Sequence, residues 1–122
     1  MNEDEILNAI DGMKDEIVRF AQELVQIRSE VPPGNYKAIV DYYIEKLEQW
    51  GIDHRIIQKP GLDRPKPNVL ATLPGREDKP ILILASHLDT VPGGEGWDAF
   101  SATIRDGKIF GRGAMDSKGA VA

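Results

Sequence analysis

A run of five apolar residues, Ile81 to Ala85, restricts the fold of this chain more than any other feature of its sequence. Successive side chains of a strand point to opposite faces, so a strand that is apolar at every position is typical of one covered on both faces. Two helix-forming segments precede the run. We therefore predict an α/β fold in which helices flank a layered sheet.

Two amphipathic helices are predicted upstream of this strand. The first extends from 6 to 28, because its apolar residues recur every three or four positions. These residues are Ile6, Ile10, Met13, Ile17, Phe20, Leu24 and Ile27. A similar stripe predicts a second helix over about 36–50, which Asn35 can cap and Gly51 can end. Since Gly12 weakens the first helix, that helix is expected to depend on packing along its apolar stripe.

Short β-rich segments follow the second helix. They predict strands at 52–58, 68–73 and 81–85, separated by turns that contain proline and glycine. Farther along the chain, SATIR and KIFG flank Asp106-Gly107, a dipeptide favoured in two-residue hairpin turns because both positions accept positive φ. We predict a hairpin there.

Composition excludes several classes of function. The 20 acidic residues outnumber the 15 basic ones, and the net charge of −5 argues against a nucleic-acid partner. No segment approaches the roughly 18 apolar residues of a membrane span, and the acidic start is unlike a secretory signal, so we expect no membrane partner and a cytoplasmic location. Cysteine is absent, which excludes a disulfide scaffold, a thiolate metal site and a cysteine nucleophile.

Two side chains able to bind a metal follow the apolar run directly. His87 and Asp89 are two positions apart, so on an extended chain they face the same way. Ligands bind at the carboxyl ends of strands in open α/β sheets, and a metal-binding imidazole commonly has its second nitrogen held by a carboxylate. The alternative is that His87 and Asp89 only hydrogen-bond to each other at the end of a strand and bind no metal. Spacing alone favours this alternative.

A second cluster, GRGAMDSKGAVA, places glycines around Asp116. The small residues after Asp116 could open a helix whose N–H groups orient its carboxylate, although an ordinary helix N-cap fits the same pattern and is favoured by this segment alone. A serine hydrolase that pairs Ser86 or Ser101 with His87 is disfavoured, because neither serine lies in a GxSxG turn.

Taken together, the segments HLDTVP and WDAFSATIRDGKIFGRGAMDSKG resemble the di-zinc amidohydrolase and exopeptidase family. This family includes acetylornithine deacetylase, succinyl-diaminopimelate desuccinylase, aminoacylase and carboxypeptidase G. The first helix, the PPG loop, the second helix and the NVLATLPG strand also resemble the start of its catalytic domain. The family usually has Pro at the position of Ala99 and Met at that of Ser117.

The resemblance implies a metal centre. His87 would bind one divalent metal, Asp89 would orient that imidazole, and Asp116 would bridge two metals, through a cis peptide before Ser117. Zinc is the expected metal, with cobalt or manganese as alternatives. The implied reaction is hydrolysis of the amide bond of N-acyl amino acids or peptides by a metal-activated water, in an enzyme that is often a homodimer. His54, the other histidine, matches no ligand of the family and is expected to be a surface or packing residue.

Several parts of the family pattern have no counterpart in this sequence. A Glu-Glu pair, another acidic ligand, a second histidine and a lid and dimerisation domain would lie downstream of Asp116. Residues 1–122 are therefore expected to be the N-terminal portion of a zinc-exopeptidase-like catalytic domain, truncated after the bridging Asp. Such a fragment should bind zinc weakly, hydrolyse nothing and associate through an uncovered strand at 81–85. The alternative is a non-catalytic binding or interaction module that retains the first half of the fold.

Overall fold

The computed structural model describes residues 2–77, 79 and 82–122. Within these residues the elements follow in the order α1 (Glu3–Gln26), α2 (Lys37–Gln49), β1 (Asp53–Ile57), β2 (Asn68–Thr72), β3 (Thr103–Arg105), β4 (Lys108–Phe110) and α3 (Lys118–Val121). No helix in this part of the chain has the length and apolar character needed to cross a bilayer.

The two long helices lie close to their predicted positions. α1 begins three residues earlier than predicted because Asn2 and Glu5 form a capping box. The Asn2 side chain accepts from the Glu5 N–H at 2.9 Å, and the Glu5 carboxylate accepts from the Asn2 N–H at 2.8 Å. The N-cap of α2 is Tyr36, without a side-chain cap, and not Asn35 as predicted; Asn35 lies one residue earlier, where its side chain accepts from the Lys37 N–H at 3.3 Å. Gly51, at φ +66°, follows the end of α2.

The core lies between the C-terminal half of α1 and α2. Phe20 and Leu24 of α1 pack with Ile39 and Val40 of α2 in one buried cluster. The predicted packing along the apolar stripe of α1 is confirmed for its C-terminal half and wrong for its first half. Residues 3–16 are all exposed, and no element of the described residues covers them. The first half of α1 therefore depends on its cap and its own hydrogen bonds.

The strands form two separate antiparallel pairs. β1 pairs with β2, with Asp53 opposite Thr72, and β3 pairs with β4, with Thr103 opposite Phe110. The β3–β4 turn confirms the predicted hairpin, since Asp106 and Gly107 both have positive φ, 51° and 71°. The described residues thus combine helices with short strands, as expected for an α/β chain, but form two small sheets where one layered sheet was predicted.

The predicted strand at 81–85 is not present in the described residues. Ile81 lies outside them, and residues 82–85 are not in a strand. Leu82, Ile83 and Leu84 are 75%, 81% and 86% exposed, where burial on both faces was predicted. The physical reason is the lack of a partner, because a strand needs a neighbour for its backbone groups and none of the described strands pairs with this segment.

Candidate metal centre

The segment that carries His87 and Asp89 is held by the residues that follow α1. The Val31 N–H donates to the Thr90 carbonyl at 2.8 Å, and the Thr90 N–H donates to the Ser29 carbonyl at 3.0 Å, which forms a short parallel bridge. These bonds fix the backbone next to both candidate side chains.

The loop that carries Asp116 approaches this bridge closely because it contains glycine. A Cβ on Gly111 would lie 2.3 Å from Val25 Cγ1 of α1. A Cβ on Gly113, which has φ +85°, would lie 2.7 Å from Thr90 Cγ2. Both distances are too short for any side chain, so the two glycines allow the loop to contact α1 and the bridge together.

His87 lies between the two carboxylates predicted to accompany it. Its Nδ1 is 3.2 Å from Asp89 Oδ1 and 3.1 Å from the Asp89 carbonyl oxygen, while its Nε2 is 2.9 Å from Asp116 Oδ1. The expected convergence of the three side chains is confirmed. The peptide bond between Asp116 and Ser117 is cis, as the family resemblance implied.

The site is open to solvent and negatively charged. The Asp116 side chain is 87% exposed, and the His87 side chain is about half exposed. The hydrogen bond to Asp116 is the main cause that raises the His87 pKa, and Asp89 acts in the same direction against the opposing effect of burial. Two carboxylates therefore favour a cation at this position, whether a proton or a metal.

Ser117 connects the two segments through its hydroxyl. Its Oγ donates to the His87 carbonyl at 3.2 Å, accepts from the His87 N–H at 3.4 Å and also bonds to Ser86 Oγ. The sequence marked Ser117 only as a departure from the family pattern, and its contact with His87 was not predicted.

Lys118 is the other residue that the sequence analysis missed. It is fully buried, and its ammonium donates to the Ile27 carbonyl at 2.7 Å. Burial lowers the Lys118 pKa to about 8, against the opposing effect of Glu30. No local pattern distinguishes Lys118 from a surface lysine, because its partner lies 91 residues away in the sequence.

A cavity of about 390 Å³ opens beside His87 and Asp116. Arg112 contributes a positive charge to its wall. The Arg112 guanidinium lies 5.7 Å from the ring centre of Trp97 and donates to the Gly93 carbonyl at 3.4 Å. The cavity thus offers room for a small molecule next to the candidate ligands.

The residues present fit a divalent metal as two of its ligands. Imidazole nitrogen and carboxylate oxygen are ligand types that zinc accepts, and an imidazole ligand commonly has its other nitrogen bound to a carboxylate. Asp89 occupies Nδ1, whereas Asp116 lies at Nε2, so these two carboxylates contact opposite sides of the ring. Within the described residues, no three His, Asp or Glu side chains are arranged to hold one metal ion.

Two competing interpretations of these residues gain no support. The N-cap of α3 is Ser117, without a side-chain cap, so Asp116 does not have the N-cap role. Ser86 Oγ bonds to Ser117, and Ser101 Oγ donates to the Asp98 carbonyl, so neither serine pairs with the His87 ring. A Ser–His nucleophile is therefore not formed.

His54 agrees with the packing or surface role expected of it. It lies in β1, is partly buried, and has Nδ1 3.3 Å from the Ile52 carbonyl.

Comparison with known proteins finds a match to one protein-family model and to several curated relatives. Residues 83–122 match the model of peptidase family M20/M25/M40. The chain is 35% identical over 113 residues to the succinyl-diaminopimelate desuccinylase of Methylobacterium radiotolerans, which covers 88% of this chain and 28% of that protein. It is 33% identical over 108 residues to a Pyrococcus furiosus protein provisionally named LysW-lysine/LysW-ornithine hydrolase, again covering 88% of this chain and 28% of that protein.

A shorter match has a higher sequence identity. Over 45 residues, which are 35% of this chain and 12% of the relative, the chain is 62% identical to the succinyl-diaminopimelate desuccinylase of Acidiphilium cryptum.

The relatives in these matches are named as desuccinylases and hydrolases. The resemblance identified from the sequence is confirmed: residues 83–122 match peptidase family M20/M25/M40, and the relatives that match most of the chain include succinyl-diaminopimelate desuccinylases. The chain spans about 28% of the length of the first two relatives.

Proposed function

We propose that this chain supplies part of the metal centre of an amidohydrolase that cleaves the amide bond of N-acyl amino acids or peptides. The observation that carries the proposal is the position of the His87 imidazole, with Asp89 at Nδ1 and Asp116 at Nε2. This arrangement combines a candidate metal ligand with the carboxylate that would orient it.

Each of the three side chains has a separate role in the proposal. His87 Nε2 and the Asp116 carboxylate would bind the metal, with Asp116 bridging two ions. Asp89 would accept a hydrogen bond from Nδ1–H and thereby hold the imidazole in the tautomer whose Nε2 can bind a metal. When bound, a divalent ion of this kind, zinc or alternatively cobalt or manganese, lowers the pKa of water and polarises an amide carbonyl.

The substrate class follows from the names of the relatives. Desuccinylases and the LysW hydrolase are named for removing a group from an amino acid. We extend this class to the present chain, in a cytoplasmic and commonly homodimeric protein without a nucleic-acid or membrane partner. The alternative of a non-catalytic module has no specific observation in its favour.

The 122-residue chain is proposed to be the N-terminal portion of the catalytic domain and to be inactive by itself. A catalytic zinc typically has three protein ligands and a water, whereas His87 and Asp116 provide two. The family's Glu-Glu pair, which would supply the general base, has no match in this sequence.

Calorimetric titration of the 122-residue chain with Zn²⁺ tests the ligand assignment. His87→Ala and Asp116→Asn should abolish binding at the site. Asp89→Asn should weaken binding by about 10- to 100-fold, because it removes the orienting carboxylate but no ligand. Asp63→Asn, an equal charge change at an exposed position, is the matched control and should leave binding unchanged. Unchanged zinc affinity in His87→Ala would refute the assignment.

Hydrolysis of N-acetyl and N-succinyl amino acids tests the second part of the proposal. No turnover is expected from residues 1–122. Turnover that is lost in His87→Ala, together with sub-micromolar zinc affinity, would contradict the claim that the chain is inactive alone.

A further inference from the structure

The Lys118 ammonium is buried at the C-terminal end of α1. Removing a charge from water is costly unless the charge is compensated, and in the described residues the Lys118 ammonium has one direct hydrogen-bond partner, the Ile27 carbonyl. Ile27 is the C-cap residue of α1, and the last turn of this helix contains no basic residue. The C-terminal end of a helix is partly negative, so Lys118 supplies the cation that α1 itself lacks.

The same lysine fixes the turn that contains Asp116. The Lys118 backbone N–H donates to the Gly113 carbonyl at 2.9 Å, which closes the turn. Its side chain passes beside Gly113, where a Cβ would lie only 3.1 Å from Lys118 Cδ. The backbone bond therefore closes the turn on itself, and the side chain connects the turn to the end of α1 at Ile27.

The direction of the Asp116 carboxylate depends on that turn. Within the described part of the chain, this carboxylate has one hydrogen-bond partner, His87 Nε2 at 2.9 Å, and it is otherwise exposed. No neighbouring side chain holds it from another side. Its position relative to His87 consequently depends on the backbone of the turn, which the Ser117 hydroxyl joins to the His87 backbone and the Lys118 side chain joins to α1.

We propose that Lys118 is a positioning residue for Asp116, and that its bond to the Ile27 carbonyl aligns the carboxylate with His87 Nε2. The consequence for metal binding depends on the function proposed above, whereas the alignment itself does not. Loss of the ammonium should leave the Asp116 and His87 side chains chemically unchanged. It should move the Asp116 carboxylate out of line with His87 Nε2.

The absence of cysteine makes a precise test available. Lys118→Cys, alkylated in the unfolded state and refolded, accepts either an aminoethyl group, which restores an ammonium at nearly the original length, or a propyl group of the same shape without charge. Zn²⁺ affinity is measured for both alkylated forms by calorimetry. The ¹³C shift of the Asp116 carboxylate and the ¹⁵N shift of His87 Nε2 are measured without metal.

The aminoethyl form should match the original chain in both measurements. The propyl form should bind Zn²⁺ at least about tenfold more weakly and show altered Asp116 and His87 shifts. Lys46→Met is the control, because Lys46 also contacts α1, at 3.3 Å from Glu23, but lies outside the site. It should change neither measurement.

The results separate this inference from the proposed function. Equal shifts and equal zinc affinity in the two alkylated forms would overturn the positioning role and leave the metal centre standing. Different shifts without zinc binding in any form would support the positioning role and refute the metal centre. If the propyl form does not fold, Lys118→Arg replaces it. The longer side chain should displace Asp116, and unchanged shifts in that folded variant would refute the inference.

Discussion

The Ser29 hydroxyl donates a 2.6 Å hydrogen bond to the Leu88 carbonyl, across 59 residues of sequence. Ser29 is almost completely buried, so Ser29→Ala would leave this carbonyl without its partner. We expect a loss of about 1–3 kcal/mol in the free energy of unfolding, measured by urea denaturation. Ser101→Ala removes a less buried hydroxyl and should cost less than about 0.5 kcal/mol. Equal losses in the two variants would contradict a special role for Ser29.

Two glycine-to-alanine substitutions should change stability in opposite directions. Gly113→Ala combines φ +85° with a 2.7 Å approach to Thr90 Cγ2, so it should destabilise the chain by about 1–3 kcal/mol. Gly12→Ala lies on an exposed part of α1 with no atom within 4 Å of the new Cβ, and should stabilise the chain by up to about 1 kcal/mol. Thermal unfolding of both variants checks the signs. Unchanged stability in Gly113→Ala would show that the loop does not need its close approach to Thr90.

Glu23 should make the stability of the helix pair dependent on pH. The Tyr42 hydroxyl donates to its carboxylate, Lys46 Nζ lies 3.3 Å away, and these contacts lower the Glu23 pKa. As the pH falls, the Glu23 carboxylate is therefore protonated in the unfolded state before it is protonated in the folded state. The contribution of Glu23 is present above its unfolded pKa of about 4.3 and is lost as the pH falls through the lower folded value.

Glu23→Gln should accordingly be less stable than the original chain at pH 7, and the difference should shrink at pH 3. Urea denaturation at both pH values measures it. Tyr42→Phe removes the main donor and should reduce the same pH dependence. A difference that stays constant between pH 7 and pH 3 would show that Glu23 has no such role.

The exposed apolar segment Leu82, Ile83 and Leu84 should promote association of the chain. Contiguous apolar surface is uncommon on monomers, whereas a single exposed apolar side chain is ordinary. Leu84→Asp should therefore lower the apparent mass measured by light scattering at high protein concentration. Leu73→Asp alters a similarly exposed but isolated leucine, 75% exposed against 86% for Leu84, and should have a smaller effect. A chain that is monomeric before any substitution would remove the basis of this prediction.

Local sequence patterns predicted most of the regular elements. The apolar stripes located α1 and α2 to within a few residues, because these patterns reflect the 3.6-residue period of a helix. Asp106-Gly107 located the β3–β4 turn, since the conformation of that turn restricts its residues directly. The start of α1 was predicted late because the cap formed by Asn2 and Glu5 lies outside the apolar stripe.

Features that depend on distant partners were not predictable in the same way. Residues 82–85 have the composition of a buried strand, yet burial requires neighbours that composition does not specify. His87, Asp89 and Asp116 were found because two short motifs resemble a family, and their spacing alone favoured simpler roles. Burial of Lys118 depends on a carbonyl 91 residues away, which no local pattern encodes.

The bond between Lys118 and Ile27 has a consequence for the order in which the molecule forms. The first 72 residues contain all of α1, α2 and the β1–β2 pair. The contacts that align His87 and Asp116 require closure of loops of 59 and 91 residues, which is entropically slower than local pairing. During synthesis on the ribosome, the helices can pack while the contact between His87 and Asp116 does not yet exist. Under the proposed function, full-affinity capture of a metal ion by this pair is therefore a late event, which follows the arrival of Lys118 at the end of α1.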